Sequence, residues 1–132
     1  MLGCKKILLD TNVLLIPAQF KVDIFSESQR ICPYASLCVL QPSVEELEKI
    51  AEKQRGKQRQ AAQLALQLLE KKEVEKIASP EAYVDQAIID VVRQHPKEWV
   101  VATQDKNLKK ELVKLGVAIM TLRKKNHMVL LE

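Results

Sequence analysis

Short, continuously apolar segments alternate with amphipathic segments along this chain, and the alternation constrains the fold more than any other feature. The clearest strand candidates are residues 5–9, 37–40 and 99–102, where apolar side chains follow one another instead of occupying every second position. Helical patterns of about 10 to 15 residues separate them, which is typical of a parallel sheet covered by helices on both faces. We therefore expect one three-layer α/β domain spanning residues 1–132.

The segments after the second strand predict two helices. Ser43 and Glu46 have the spacing of a capping box, so we expect a helix to begin at Ser43 and to stop near Gly56. Residues 57–71 predict a second amphipathic helix. Residues 17–36 are expected to be irregular, because they contain two prolines that act as breakers.

The second half of the chain continues the alternation. Ser79, followed by a proline, predicts the start of a helix that faces inward through its apolar residues. Asp105 and Gly116 are the expected boundaries of a helix over 106–115. Short strands are predicted at 74–77, 117–120 and 128–131.

Composition excludes several classes of function. The chain has three glycines, too few and too dispersed for a phosphate-binding loop or a dinucleotide fingerprint. Its three cysteines form no Cys-x-x-Cys pair, which favours a reducing cytoplasmic setting without a thiolate zinc site. No apolar run approaches the ~20 residues that span a bilayer, so no membrane association is expected. A net charge of +4 suits a polyanionic partner without requiring one.

Acidic residues stand where the predicted strands end. Asp10 follows the first strand, and Asp105 follows the strand at 99–102. Glu46 lies at the start of the helix after the second strand, and Asp85 opens a later helix. Because the carboxyl ends of parallel strands meet at one edge of a sheet, where ligands bind, the four carboxylates are expected to share a site.

Helical geometry favours some of these acids over their neighbours, and helix capping offers an alternative role for each of them. Relative to the apolar faces of their helices, Glu45 and Asp90 point further into solvent than Glu46 and Asp85 do, so the latter pair is preferred. Each of the four acids also has a structural alternative: a helix cap, a member of the capping box, or a charge that complements a helix dipole. Their recurrence at one predicted edge favours a metal site over four unrelated caps.

Carboxylates without a nearby histidine or cysteine suit hard cations, namely Mg²⁺ or Mn²⁺, and disfavour zinc. Such a cation offsets the repulsion between the acids, lowers the pKa of a bound water and stabilises charge on a phosphoryl group. Hydrolysis of phosphodiesters is therefore the leading hypothesis. A haloacid-dehalogenase-type phosphatase with Asp10 as nucleophile is disfavoured, because Asn12 occupies the place of its second aspartate.

Four segments in series resemble the motifs of the PIN domain family, in particular the small stand-alone archaeal PIN proteins related to ribosome-biogenesis nucleases. They are ILLDTNVL at 7–14, PSVEEL at 42–47, VDQAI at 84–88 and VATQDKNL at 101–108. The resemblance covers nearly the whole chain. It implies a parallel five-stranded sheet and a metal-dependent ribonuclease that acts on single-stranded or structured RNA.

The resemblance also implies roles for individual residues. Asp10, Glu46, Asp85 and Asp105 would be catalytic and hold Mg²⁺ or Mn²⁺ directly or through water, while Asn12 and Thr103 would support the acids or the substrate phosphate by hydrogen bonding. Many relatives carry further acids where this chain has Gln86 and Gln104. The smaller acidic set favours one weakly held cation that is completed by substrate oxygens.

Two basic segments are expected to bind RNA at the rim of the acidic site, because clustered positive charge is what phosphate tracking uses. They are Arg55, Lys57 and Arg59, and Arg123, Lys124 and Lys125. The pair Lys109 and Lys110 is interpreted instead as a solvated helix face. With only five aromatic residues, base stacking is not expected to dominate.

The alternative function is a catalytically weak or inactive PIN-fold protein that binds RNA or a partner in ribosome assembly. Either function is compatible with a homodimer and with a ribosome-assembly or antitoxin partner, which the resemblance also implies.

Overall fold

A computed structural model describes residues 4–132, which contain one six-stranded sheet in the order β3-β2-β1-β4-β5-β6. The strands are β1 (Lys6–Leu9), β2 (Ser36–Leu40), β3 (Glu75–Ile77), β4 (Trp99–Ala102), β5 (Ala118–Arg123) and β6 (His127–Leu131). The helices are α1 (Thr11–Leu14), α2 (Ile16–Phe20), α3 (Ile24–Ile31), α4 (Gln41–Lys53), α5 (Gly56–Lys71), α6 (Val84–Val92) and α7 (Lys106–Leu115). The first three residues of the predicted domain lie outside the described part.

The predicted α/β class is confirmed, and the sheet has six strands instead of five. Strands β1 to β5 are parallel, and β6 pairs antiparallel with β5. The reversal occurs at Lys124 and Lys125, which both have positive φ, 55° and 61°, and Asn126 donates a backbone hydrogen bond to the Arg123 carbonyl. Such a turn matches the twist of a hairpin, so the last segment adds to the sheet by folding back.

The helices form the two outer layers because side chains alternate across the sheet. Ile7 and Leu9 of β1 point to the face covered by α1 to α5, and Leu8 points to the face covered by α6 and α7. All three are buried. Both faces of the central strand are thus covered, as its continuous apolar sequence predicts.

Residues 17–36 are not irregular, because they contain α2 and α3. Pro17 lies in the first turn of α2, where a missing N–H costs nothing, so it does not break the helix. Asp23 caps α3 by accepting hydrogen bonds from the N–H groups of Phe25 (3.0 Å) and Ser26 (3.1 Å).

The predicted capping box is also wrong. Helix α4 begins at Gln41, two residues before Ser43, and it has no side-chain cap. Ser43 is fully buried in the first turn, and its hydroxyl has no partner among the described residues. Gly56, with φ 65°, begins α5 instead of ending α4.

Helix α6 begins at Val84, later than predicted. The preceding residues take their hydrogen bonds locally, since Ser79 Oγ accepts from the N–H of Glu81 (3.2 Å) and Glu81 Oε1 accepts from the N–H of Tyr83 (3.0 Å). These bonds form turns that compete with a helix. Asp85 therefore lies in the first turn of α6.

Helix α3 covers part of the free edge of the sheet at β6. Glu27 accepts a 2.8 Å hydrogen bond from the Met128 N–H, and Arg30 donates one of 2.9 Å to the Met128 carbonyl. Edge strands whose backbone groups are occupied do not pair with other chains there. Within residues 4–132, none of the helices has the length and apolarity to cross a bilayer.

Candidate functional site

Strands β1 and β4 are neighbours at the point where the strand order reverses. From β1 the chain continues to β2 on one side, and β4 and β5 lie on the other side. The connections that leave the carboxyl ends of β1 and β4 therefore diverge and open a crevice between them, which is where ligands bind in open α/β sheets. Asp10 comes directly after β1, and Thr103 comes directly after β4.

The Asp10 carboxylate is buried in this crevice, with 3% of its surface exposed. Its Oδ2 accepts hydrogen bonds from the Thr103 hydroxyl (2.7 Å) and from the Asn12 side-chain amide (3.2 Å). Its Oδ1 accepts one from the Thr11 N–H (2.8 Å). A carboxylate has about four acceptor positions, so about one remains free.

The pKa of Asp10 is raised to about 6, chiefly because burial disfavours the charged form. The hydrogen bonds from Thr103 and Thr11 oppose this shift, and the negative charges of Asp85 and Glu46 add to it. A buried carboxylate that nearby acids repel is a group that a cation would stabilise.

The pKa of Asp85 is raised too, by partial burial first and then by the charges of Asp105 and Glu46. The fold thus brings the four predicted acids into one electrostatic neighbourhood. Glu46 and Asp85 are exposed, however, and Asp105 is half-buried. In the part of the chain that the structure describes, no three acidic, histidine or cysteine side chains converge closely enough to enclose an ion.

Two of the four acids also cap helices, which is the alternative role that the sequence allowed for them. Asp10 is the N-cap of α1, and Asp105 is the N-cap of α7, where its Oδ1 accepts a 3.0 Å hydrogen bond from the Leu108 N–H. Thr103 Oγ1 accepts a 3.1 Å hydrogen bond from the Asp105 N–H and so links both acids. Glu46 has no capping role, because α4 starts five residues before it.

The oxygen-only donor set fits a hard divalent cation. The charges of neighbouring acids help to raise the pKa values of Asp10 and Asp85, and no histidine or cysteine is among the four acids. The hydroxyls of Thr11 and Ser43 are buried beside the acidic segments without a partner in residues 4–132. Oxygen ligands of this kind are what Mg²⁺ and Mn²⁺ prefer.

Gln104 has a structural role that sequence reasoning missed. Its Oε1 accepts 2.7 Å hydrogen bonds from the Thr121 hydroxyl and the Leu122 N–H of β5. The backbone N–H of Gln104 donates a 3.1 Å hydrogen bond to Asn12 Oδ1. Asn12 thereby connects Asp10 to the loop after β4. The signal in the sequence was limited to the glutamine itself, since its partners lie 17 and 18 residues away.

Gln86, the other glutamine that replaces an expected acid, also has a local partner. Its side-chain amide donates a 2.8 Å hydrogen bond to Asp90 one turn further along α6. Both side chains are exposed.

The two predicted RNA-binding segments both project from the carboxyl edge of the sheet. Arg123 ends β5 at that edge, and Lys124 and Lys125 form the exposed turn beyond it. Lys125 Nζ lies 6.0 Å from the centre of the Phe20 ring, which gives the turn a cation–π contact.

The α4–α5 turn, which carries Arg55, Lys57 and Arg59, projects from the same edge. Helix α4 starts at the carboxyl end of β2, and α5 must return toward the start of β3, because Val74 bonds to Leu69 and β3 pairs with β2 in parallel. The helices therefore extend away from the sheet and back. All three basic side chains are exposed.

Comparison with known proteins identifies relatives along nearly the whole chain. A family profile described as a PIN-like domain matches residues 7–125. The chain is 31% identical over 125 residues to ribonuclease VapC4 of Methanocaldococcus jannaschii, covering 92% of this chain and 93% of that protein. It is also 31% identical over 131 residues to the rRNA-processing protein fcf1 of Schizosaccharomyces pombe, covering 96% of this chain and 62% of the yeast protein.

Solved structures show the same fold. The PIN domain endonuclease Utp24 matches with a TM-score of 0.77 at 26% identity, over 97% of this chain and 92% of that one. A domain of a functionally unknown protein from Methanocaldococcus jannaschii matches with a TM-score of 0.55 at 18% identity, over 98% and 99% of the two chains, and shows the fold alone.

Proposed function

The chain belongs to the PIN-like domain family, and on that premise we propose that it is a metal-dependent endoribonuclease that hydrolyses RNA phosphodiester bonds. The observation that carries the proposal is the state of Asp10, a buried carboxylate at the switch point of the sheet with a pKa raised to about 6. Placing such a group among other acids costs stability, and a bound cation would recover it.

Asp10, Glu46, Asp85 and Asp105 would hold Mg²⁺ or Mn²⁺, directly or through water. When bound, the cation supplies a lowered pKa for water at the site and stabilisation of negative charge on the phosphoryl group. The acids differ in how firmly their side chains are held. Asp10 is fixed by its hydrogen bonds, whereas the exposed side chains of Glu46 and Asp85 can adjust to the ion and the substrate.

Thr103 and Asn12 position the Asp10 carboxylate. Both donate hydrogen bonds to Oδ2, and the Thr11 N–H donates one to Oδ1, so both carboxylate oxygens are held in place. Because its pKa is about 6, Asp10 is mostly ionised at neutral pH and is available to a cation.

The substrate would be single-stranded or structured RNA, bound at the rim by Arg55, Lys57, Arg59, Arg123, Lys124 and Lys125. The ribonuclease and rRNA-processing relatives support a role in rRNA processing or RNA turnover. We further propose that residues 1–132 form one domain that works in the cytoplasm, as a homodimer with a ribosome-assembly or antitoxin partner.

The test is cleavage of a panel of single-stranded and hairpin RNAs in Mn²⁺, Mg²⁺ or EDTA. Asp10→Asn should lower the cleavage rate about 100-fold or more, since even the partners of metal ligands are worth about 10–100-fold. Asp90→Asn is the matched control, because Asp90 is exposed and its side chain hydrogen-bonds only to Gln86 among the described residues. Cleavage that persists in EDTA, or in folded Asp10→Asn, would refute the proposal.

The second candidate is an RNA-binding or partner-binding protein in ribosome assembly with little turnover. It is favoured by the open arrangement of the acids and by the two glutamines, which both hydrogen-bond to protein groups. RNA binding that is unchanged by EDTA and by Asp10→Asn, without cleavage in any metal, would support this candidate.

A further inference from the structure

A groove between α6 and α7 leads away from the acidic site on the opposite face from α4 and α5. Both helices connect the carboxyl end of one strand to the amino end of the next, so they run side by side and both begin at the site. The groove is open to solvent and has a volume of about 780 Å³. It is lined by Asp85 at the site and by Arg93, just beyond the last turn of α6, at the other end.

Beyond Asp85 the lining is predominantly basic. Arg93, Lys109, Lys110 and Lys114 line the groove, against a single further acid, Glu111. Lys114 is paired with Glu111 at 3.5 Å. Within residues 4–132, no carboxylate lies at ion-pairing distance from the other three cations.

Lys109 lines the groove one turn into α7 after Asp105. It is half-buried, and none of the described carboxylates lies within ion-pairing distance of its ammonium group. A phosphate in the groove would supply the anion that this lysine lacks.

The groove also has an apolar component. Ile89 and Leu108 are buried at its floor, and Val113 is 67% exposed on its wall, although α7 is otherwise polar on that side. Unpaired nucleotides present phosphates and apolar base surfaces together, whereas a duplex turns its bases inward. The combination of unpaired cations and an apolar wall therefore suits a single strand.

We propose that the α6–α7 groove binds the single-stranded segment of RNA that flanks the bond to be cleaved. The proposal rests on the ribonuclease function above, and it adds a substrate-binding surface on the face opposite α4 and α5. The strand leaves the acidic site past Asp85, and its phosphates contact Lys109, Lys110 and Arg93. An acidic protein segment could also satisfy the charges, but the continuity of the groove with the acidic site favours the chain that is cut.

The first experiment compares Lys109→Ala/Lys110→Ala with Lys49→Ala/Lys71→Ala. The control removes the same charge from exposed lysines of α4 and α5, which form no ion pair in the described structure. The groove variant should raise both the Kd for single-stranded RNA in EDTA and the KM for cleavage about tenfold at physiological salt, with kcat within about twofold. The slope of log Kd against the logarithm of the salt concentration should fall by about 1.4, the value for two lost phosphate contacts to a single strand.

The second experiment introduces a negative or a positive charge at the same exposed position. Val113→Glu should raise the RNA Kd and Val113→Lys should lower it, each about threefold, because the substitutions place opposite charges of similar length in the groove. Neither should alter thermal stability by much, since Val113 is largely in solvent. Equal affinities for the two variants would overturn the proposal.

The outcomes separate this proposal from the ribonuclease function. If the wild type cleaves RNA and the groove variants bind and cleave like the control, the groove proposal is wrong and the function stands. If nothing cleaves, but the groove variants still lose RNA binding, the groove is an RNA-binding surface and the ribonuclease function fails. If the variants lose binding of polyglutamate and keep that of RNA, the groove belongs to an acidic protein partner and the proposal is overturned.

Discussion

Thr103 Oγ1 donates a 2.7 Å hydrogen bond to Asp10 Oδ2, and the same oxygen accepts a hydrogen bond from the Asp105 N–H. One hydroxyl therefore joins the ends of the two central strands and sets the relative position of two acids. The hydroxyl is fully buried, so water cannot replace it without rearrangement.

Replacing Thr103 by Val should raise the pKa of Asp10 further above 6. The hydrogen bond stabilises the ionised form, so its loss should shift the acidic limb of the cleavage pH profile upward by about one unit, as expected for a bond to a charged group. Thr103→Ser keeps the hydroxyl and should keep the wild-type profile. An unchanged profile for both variants would show that Thr103 does not govern Asp10.

Asp10 should make the protein less stable as the pH rises from about 4 to 7. Its folded pKa of about 6 exceeds the ordinary 3.8, so the folded state binds more protons than the unfolded state in this range. The stabilising contribution present below about pH 4 is lost as the pH passes 6, and amounts to at most about 3 kcal/mol. Asparagine does not titrate in this range, so the Asp10→Asn variant should not show this decrease in stability.

Urea denaturation of both proteins across that range provides the measurement. The free energy of unfolding of Asp10→Asn, relative to wild type, should increase with pH, because the remaining groups titrate in both proteins. A difference that stays constant from about pH 4 to 7 would contradict a raised pKa.

Mn²⁺ or Mg²⁺ should stabilise the folded protein at neutral pH without any RNA. At a concentration of about 100 times Kd, a ligand of the folded state adds about 2.7 kcal/mol, which for a chain of this size raises Tm by roughly 5 to 10 °C. EDTA should reverse the increase. Asp10→Asn should abolish most of it and Asp90→Asn should retain it, as thermal scans would show; equal shifts in both variants would place the ion elsewhere.

Gln104 should contribute to stability through its acceptor oxygen. Gln104→Leu leaves the Leu122 N–H and the Thr121 hydroxyl without their partner and should cost about 1–3 kcal/mol in the free energy of unfolding. Gln104→Glu retains an acceptor oxygen and should cost much less. Chemical denaturation checks both, and equal losses would show that the glutamine contributes only by packing.

The β5–β6 turn should be more stable, and bind RNA less well, without its lysines. Lys124→Asn/Lys125→Gly introduces residues that tolerate positive φ, so it should gain on the order of 1–2 kcal/mol. The loss of two exposed charges should weaken RNA binding severalfold in a fluorescence titration. A gain in stability with unchanged affinity would remove this turn from the RNA interface.

Much of the alternation of strands and helices could be predicted because most residues of β1, β2 and β4 are apolar and buried. The ends of the predicted strands indicated which acids would share a site, and the resemblance of four segments to PIN motifs implied their roles. Positions where local chemistry decides the structure were less predictable. Pro17 lies in a first helical turn that tolerates it, and Ser43 is buried inside a helix that starts earlier.

The sequence predicted the four candidate acids and indicated much less of the groups that surround them. The bond from Thr103 to Asp10 spans 93 residues, and Gln104 contacts a strand that no local pattern connects to it. Lys109 and Lys110 match an ordinary solvated helix face in sequence. Only the packing of α7 beside α6 places them in a groove that opens at the acids.

The position of β4 beside β1 has a consequence for synthesis on the ribosome. β1 is made before the other strands of the sheet, but its partner β4 and the hydroxyl that holds Asp10 follow about ninety residues later. Contacts of such long sequence separation form late, because the loop-closure entropy must be offset first. A nascent chain that ends before residue 99 contains three of the four acids and lacks the strand that completes their crevice, so the proposed metal site could not assemble until nearly the whole domain has emerged.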